Sequence, residues 1–198
     1  MIVRLIVLAV VLILSSCSIK KTQTCALDFQ KTIDYQKKLP TYYKSTGNVY
    51  IAGIPVLFKG EFKKGQSTLS LYTIFGQKIG YIKENNKDVC ISFNNLKKCG
   101  DKDLYKNILN VDIPEKLKDI LIGKIDISDA NNYSCKDGYL IVRKDDVLYK
   151  FKNGKLSEIK YKNYKILYKY KNQKVFIELY DNEDKKAKIV LNKIQRIK

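Results

Sequence analysis

The 198-residue sequence contains no histidine and no tryptophan, one methionine and three prolines. Without histidine, the Ser-His and Cys-His pairs that activate a nucleophile cannot be built, and zinc loses its usual nitrogen ligand. No Gly-rich phosphate loop occurs, and none of the cysteines forms a C-x-x-C pair. The carboxylate pairs Asp145-Asp146 and Glu183-Asp184 fall in turns between strand-like runs, where solvated acids are the ordinary outcome. The residues therefore call for no catalytic group, no metal and no cofactor, and the chain reads as a non-enzyme. Acid is also scarce, with 20 Asp and Glu against 38 Lys and Arg, giving a net charge of +18.

What is present begins with Arg4 and an unbroken apolar run from Leu5 to Leu14. That run is too short for a membrane-spanning helix, which takes about 20 apolar residues. A positive start, a short apolar core and small residues after it describe a secretory signal. Leu14-Ser15-Ser16-Cys17 resembles the lipobox of bacterial lipoproteins, in which the cysteine takes up lipid and the peptidase cuts before it. Residues 1–16 then read as a removed signal peptide, Cys17 as the point of membrane-lipid attachment, 17–23 as a tether and 24–198 as a single domain. Two or more acyl chains at about 0.8 kcal/mol per buried CH₂ hold a protein stably on a bilayer.

The positive excess could suggest nucleic acid. The extracytoplasmic address argues against that partner, and the lysines are spread along every strand as a solvated face would have them. Anionic headgroups or an acidic partner remain as the alternative. Beyond Cys17 the cysteines are Cys25, Cys90, Cys99 and Cys135, an even number in an oxidising compartment. Four cysteines allow three pairings. The nearness of Cys90 and Cys99 across a hairpin end favours Cys90–Cys99 with Cys25–Cys135.

A helix is expected over Ala26 to Leu39, stopped at Pro40. Period-two alternation then marks strands around Val49–Ile51, Val56–Phe62, Leu69–Tyr72 and Val89–Phe93. Asp101 to Leu109 and Ile113 to Ile122 have helical spacing, with Pro114 in the first turn and Gly123 at the end of the second. Strands resume over Tyr139–Arg143, Val147–Lys152, Leu156–Tyr161, Lys165–Tyr170, Val175–Tyr180 and Lys188–Ile194, with Asn153-Gly154 the strongest hairpin signal. The expected fold is α+β, mainly antiparallel β: a strongly curled, incompletely closed half β-barrel of roughly eleven strands, covered by helices and enclosing an apolar hollow.

Four stretches in this order carry a resemblance to a known family: Tyr50 to Phe62, Leu71-Tyr72-Thr73-Ile74-Phe75-Gly76, Val111 to Gly123 with Pro114 at its start, and Lys155 to Tyr168 followed by Ile177–Leu179 and Ile189–Leu191. Together they cover nearly all of the mature chain. They resemble the LolB family of outer-membrane lipoprotein receptors, lipoproteins whose fold resembles that of the periplasmic carrier LolA. The chain departs from the family in having Ile74 and Phe75 where Pro and Leu usually precede the turn glycine, and in lacking the family's tryptophans.

The resemblance implies a monomeric receptor on the periplasmic face of the outer membrane. It would accept lipoproteins from a LolA-like carrier, hold their acyl chains in a hollow and insert them into the membrane. Phe75, with Gly76 permitting the turn, would be the membrane-transfer tip. The hollow would be lined by Val49, Ile51, Val56, Phe58, Phe62, Leu69, Leu71, Val89, Ile91, Phe93, Ile177 and Leu179. Ser18 after the anchor cysteine resembles lipoproteins sorted to the outer membrane. Two other readings stand beside it: a LolA-like lipoprotein binding another lipid or hydrophobic ligand, and a non-catalytic structural lipoprotein with a filled core.

Overall fold

The computed structural model describes residues 24–51, 53–85, 87–94, 96–101, 104 and 115–197. The expected signal segment, Cys17 and the expected tether therefore lie outside the described residues, as does most of the helix expected over Asp101 to Leu109. Helix α1 spans 24–38. The strands of the first half are β1 (Tyr43–Ile51), β2 (Ile54–Lys63), β3 (Gln66–Tyr72), β4 (Lys78–Asn85), β5 (Val89–Phe93) and β6 (Leu96–Gly100). Helix α2 (Leu117–Ile122) follows. The second half holds β7 (Asn132–Lys136), β8 (Tyr139–Lys144), β9 (Val147–Lys152), β10 (Lys155–Tyr161), β11 (Tyr164–Lys171), β12 (Lys174–Asp181) and β13 (Asp184–Arg196). No helix among the described residues is long and apolar enough to cross a membrane.

All thirteen strands form one open antiparallel sheet in the order β6-β5-β4-β3-β2-β1-β13-β12-β11-β10-β9-β8-β7. Two sequential meanders thus meet at a single seam, β1 against β13, with Tyr43 opposite Arg196 and Ile51 opposite Ala187. The expected count of roughly eleven strands is exceeded by β4, β6 and β7. In β4 Ile79 and Tyr81 on one face and Ile82 on the other break the alternation, because side chains on both faces are partly covered. In β6 (Leu96-Lys97-Lys98-Cys99-Gly100) and β7 (Asn132-Tyr133-Ser134-Cys135-Lys136) nearly every side chain is exposed, so no apolar face exists to be read.

Those two strands are the free edges of the sheet, and each is pinned by a disulfide. Cys90 bonds to Cys99, which are direct cross-strand partners of β5 and β6. Cys135 on β7 bonds to Cys25 on α1. Phe29 of α1 stacks on Tyr133 of β7 with ring centroids 4.2 Å apart, and Gln36 Nε2 donates to the Gly154 carbonyl while its Oε1 accepts from Ile125 N–H. Along α1, Ile33 joins the same buried cluster as Phe58, Phe62, Phe151, Leu156 and Ile177.

The opposite face of the sheet carries the basic charge. Lysine ammonium groups lie over tyrosine rings there: Lys59 over Tyr72 at 5.4 Å, Lys78 over Tyr81 at 5.2 Å, Lys165 over Tyr180 at 5.1 Å. Such exposed contacts stabilise by about 0.5–1 kcal/mol each. They let β-favouring aromatic residues occupy a solvated face without forming an open apolar patch.

One glycine at the seam is demanded by space. A Cβ on Gly47, at the bulge of β1, would sit 2.3 Å from the Val190 carbonyl oxygen and 2.7 Å from the Phe58 ring. Forcing extra volume into such a site costs about 1–3 kcal/mol. Gly47→Ala is expected to lower the melting temperature by roughly 2–12 °C at 2–4 °C per kcal/mol for a chain of this size. Circular-dichroism melting checks this, and an unchanged midpoint would mean the seam yields to the methyl group.

Candidate functional site

Strand direction alternates through both meanders, so the turns β1–β2, β3–β4, β5–β6, β8–β9, β10–β11 and β12–β13 fall at one end of the sheet. The turns β2–β3, β4–β5, β7–β8, β9–β10 and β11–β12 fall at the other. The first of these is called the tip end here. The β3–β4 turn is built from Thr73 to Gln77. Thr73 N–H donates to the Gln77 carbonyl at 2.8 Å, Gly76 N–H donates to the Thr73 carbonyl at 3.0 Å, and Gln77 N–H donates to Thr73 Oγ1 at 3.2 Å. Gly76 has φ +83°, a left-handed conformation that side chains disfavour. This closed loop leaves Phe75 91% exposed, with Ile74 beside it 60% exposed.

The apolar set expected to line a hollow is gathered by the strand register. Val49 opposes Val56, Phe58 opposes Leu71, and Ile177 opposes Ile189, which in turn opposes Val49. Directly opposed residues share a face. Phe58, Phe62, Leu69, Val89, Ile91 and Ile177 are buried there. Val49, Val56, Leu71 and Leu179 are part-buried, and Phe93 is half exposed beside the β5–β6 turn. Ile51 pairs with Ile54 and Ala187 through its backbone. Val89 and Ile91 form a small cluster of their own with Ile82 and Leu104.

Burial on this face is graded along the strands. On β2 it falls from Phe62 and Phe58 to Val56 and then to Ile54, which is 67% exposed. The same direction holds from Leu69 to Leu71 on β3 and from Val175 and Ile177 to Leu179 on β12. The apolar face of β2, β3 and β12 is thus closed away from the tip end and partly uncovered toward it. Grooves of about 500 and 440 Å³ lie elsewhere: one between α1 and the β9–β10 turn, with Asp28, Lys31 and Tyr35, and one along β3–β6 with Thr68, Tyr81 and Lys97.

A polar cluster surrounds α2, which has no side-chain cap at its start. Tyr43 donates to the Lys118 carbonyl, and Tyr168, fully enclosed, donates to the Ile120 carbonyl at 2.9 Å. Tyr149 donates to Glu115 Oε1 at 2.6 Å. Burial raises the Glu115 carboxyl above the usual carboxylate range, opposed by the Tyr149 hydrogen bond. Burial likewise raises Asp119, and lowers Lys124, whose Nζ donates to the Leu39 carbonyl and Thr41 Oγ1. These groups tie the short helix to the sheet. Sequence reading missed them because inward tyrosines on alternating strands look like ordinary β-formers. No group of three or more His, Cys, Asp or Glu among the described residues could hold a metal ion.

In comparisons with known proteins, no family model matches the chain and no curated protein is similar to it.

Proposed function

We propose that this chain is a lipid-anchored receptor of the LolB kind, which takes lipoproteins from a LolA-like periplasmic carrier and passes their acyl chains into the outer membrane. The observation that carries the reading is the graded apolar face, uncovered toward the same end of the sheet at which Phe75 stands exposed. The lipobox-like Leu14-Ser15-Ser16-Cys17 supports the anchor, and the open antiparallel sheet supports a curled half-barrel. In this reading the helices cover the concave side, and an acyl chain enters from the tip end over Val49, Val56, Leu71 and Leu179.

The chemistry is non-covalent. Exposing a 16-carbon chain to water forfeits roughly 10 kcal/mol or more at about 0.8 kcal/mol per CH₂. Direct passage between apolar surfaces avoids that exposure, and affinities ordered carrier, receptor, membrane set the direction without a nucleotide.

A second reading is favoured by the dense burial of Phe58, Phe62, Leu69 and Ile177: a non-catalytic lipoprotein whose core is filled. A LolA-like lipoprotein for another hydrophobic ligand is the third. Transfer separates the receptor reading from both. An unlipidated Cys17→Ala form is mixed with its organism's carrier loaded with a lipoprotein, and cargo is expected to move onto it. A folded protein that takes no cargo would overturn the receptor reading.

A further inference from the structure

The tip end is chemically divided. In the second half, its turns are Asp145-Asp146, Lys162-Asn163 and Asn182-Glu183, all polar. In the first half, three neighbouring turns carry exposed apolar side chains instead: Ile54 at β1–β2, Ile74 and Phe75 at β3–β4, and Phe93 and Leu96 at β5–β6, with Leu96 77% exposed. Successive tips are two strands apart, about 9–10 Å, so the row extends for roughly 20 Å along one edge.

Charge is divided in the same way. No Asp or Glu occurs within 47–60, 66–82 or 89–100, the segments that contribute to this part of the sheet, whereas Lys59, Lys78, Lys97 and Lys98 do. The acids of these hairpins, Glu61, Glu84, Asp88 and Asp101, stand toward the opposite end. Lys78 directly follows the β3–β4 turn and Lys97 directly follows Leu96. The third tip is also held firmly: β6 is an exposed edge strand with little to pack, and the Cys90–Cys99 bond fastens it to β5.

We propose that this row of three hairpin tips docks on an anionic bilayer surface, with the apolar side chains entering the interface and the lysines behind them meeting lipid headgroups. The inference rests on the membrane anchorage in the reading above and extends it: Phe75 acts within a built edge rather than as a solitary residue. The exposed apolar side chains protrude singly from the tips, and none of them lines the groove along β3–β6, which is polar and would leave them uncovered by a peptide bound there. A second copy of the chain would set lysines against lysines, a repulsion that a negatively charged surface replaces with attraction.

The absence of tryptophan gives a clean test. Phe75→Trp, Leu96→Trp and, at the opposite end, Lys64→Trp are each introduced alone into the full lipidated chain. Each variant is reconstituted into phosphatidylcholine vesicles with brominated acyl chains, with and without phosphatidylglycerol. Quenching at 75 and 96 is expected to exceed that at 64 several-fold when phosphatidylglycerol is present, and to fall as salt screens the lysines. Equal quenching at all three positions, or none at 75 and 96 in protein that floats with the vesicles, would overturn the docking edge. Quenching independent of phosphatidylglycerol would overturn the role of the lysines. Cargo movement is not read in this experiment, so a failed receptor reading and a failed docking edge give different results.

Discussion

Phe75→Glu is expected to leave the fold intact and to slow delivery of lipoprotein into membranes at least tenfold. The side chain is 91% exposed at a turn closed by backbone bonds, so the substitution removes no packing. Surface changes of this kind stay within about 0.5 kcal/mol, or about 1–2 °C of melting temperature. Entry of a phenylalanine into an apolar phase contributes about 1.5–3 kcal/mol. Losing that gain, and placing a carboxylate at a negatively charged interface, slows delivery by roughly tenfold to a hundredfold or more at 1.4 kcal/mol per factor of ten. Loading of cargo onto the receptor should change little, because Phe75 stands outside the packed face. Delivery measured into vesicles from loaded protein checks this, with Phe75→Leu expected to behave as the parent does. Normal delivery by Phe75→Glu would remove the turn from the transfer step.

Breaking the Cys25–Cys135 bond is expected to have the largest effect on stability. It closes a loop with a sequence separation of 110 residues, whereas Cys90–Cys99 spans 9. On the chain-entropy account these correspond to about 5 and about 2.5 kcal/mol. The paired substitution Cys25→Ala with Cys135→Ala should lower the melting midpoint by roughly 10–20 °C, and Cys90→Ala with Cys99→Ala by about half as much. Calorimetry of both variants tests the order. Equal shifts would mean that the packing of α1 through Phe29, Ile33 and Gln36 holds the helix without the bond.

Most of the second meander could be read from its residues. From Tyr139 to Ile194 apolar and polar side chains alternate, and short turn pairs such as Asn153-Gly154 punctuate them, so local rules suffice. The first half was read less completely. Its β4 is covered on both faces, and β6, like β7 of the second half, has no apolar face at all, because edge strands here are held by covalent bonds and backbone pairing. The β1–β13 seam had no local signal, since its partners lie at opposite ends of the domain. Of the candidate site, the outward Phe75 is set by the turn that Gly76 closes, and the register of Val49, Val56, Phe58 and Leu71 follows from alternation. The row of Ile54, Phe93 and Leu96 was not legible. Each residue looks like one more strand position until the pairing order brings the three turns to one end. The acid-free segments were a signal present in the sequence, but only topology shows that they coincide.

The seam also dictates the order in which the protein can be completed. Each hairpin can close as soon as its second strand exists, because its partners are neighbours in the chain. Strand β1 is different: one of its sides pairs with β2 early, and the other waits for β13. While the chain is being completed, the first six strands stand as a partial sheet with an open backbone edge until nearly all the rest has been added. Such non-local closure is slow, and an open edge invites wrong pairing. The step that joins the two halves is therefore where folding is slowest and where a chaperone would matter most.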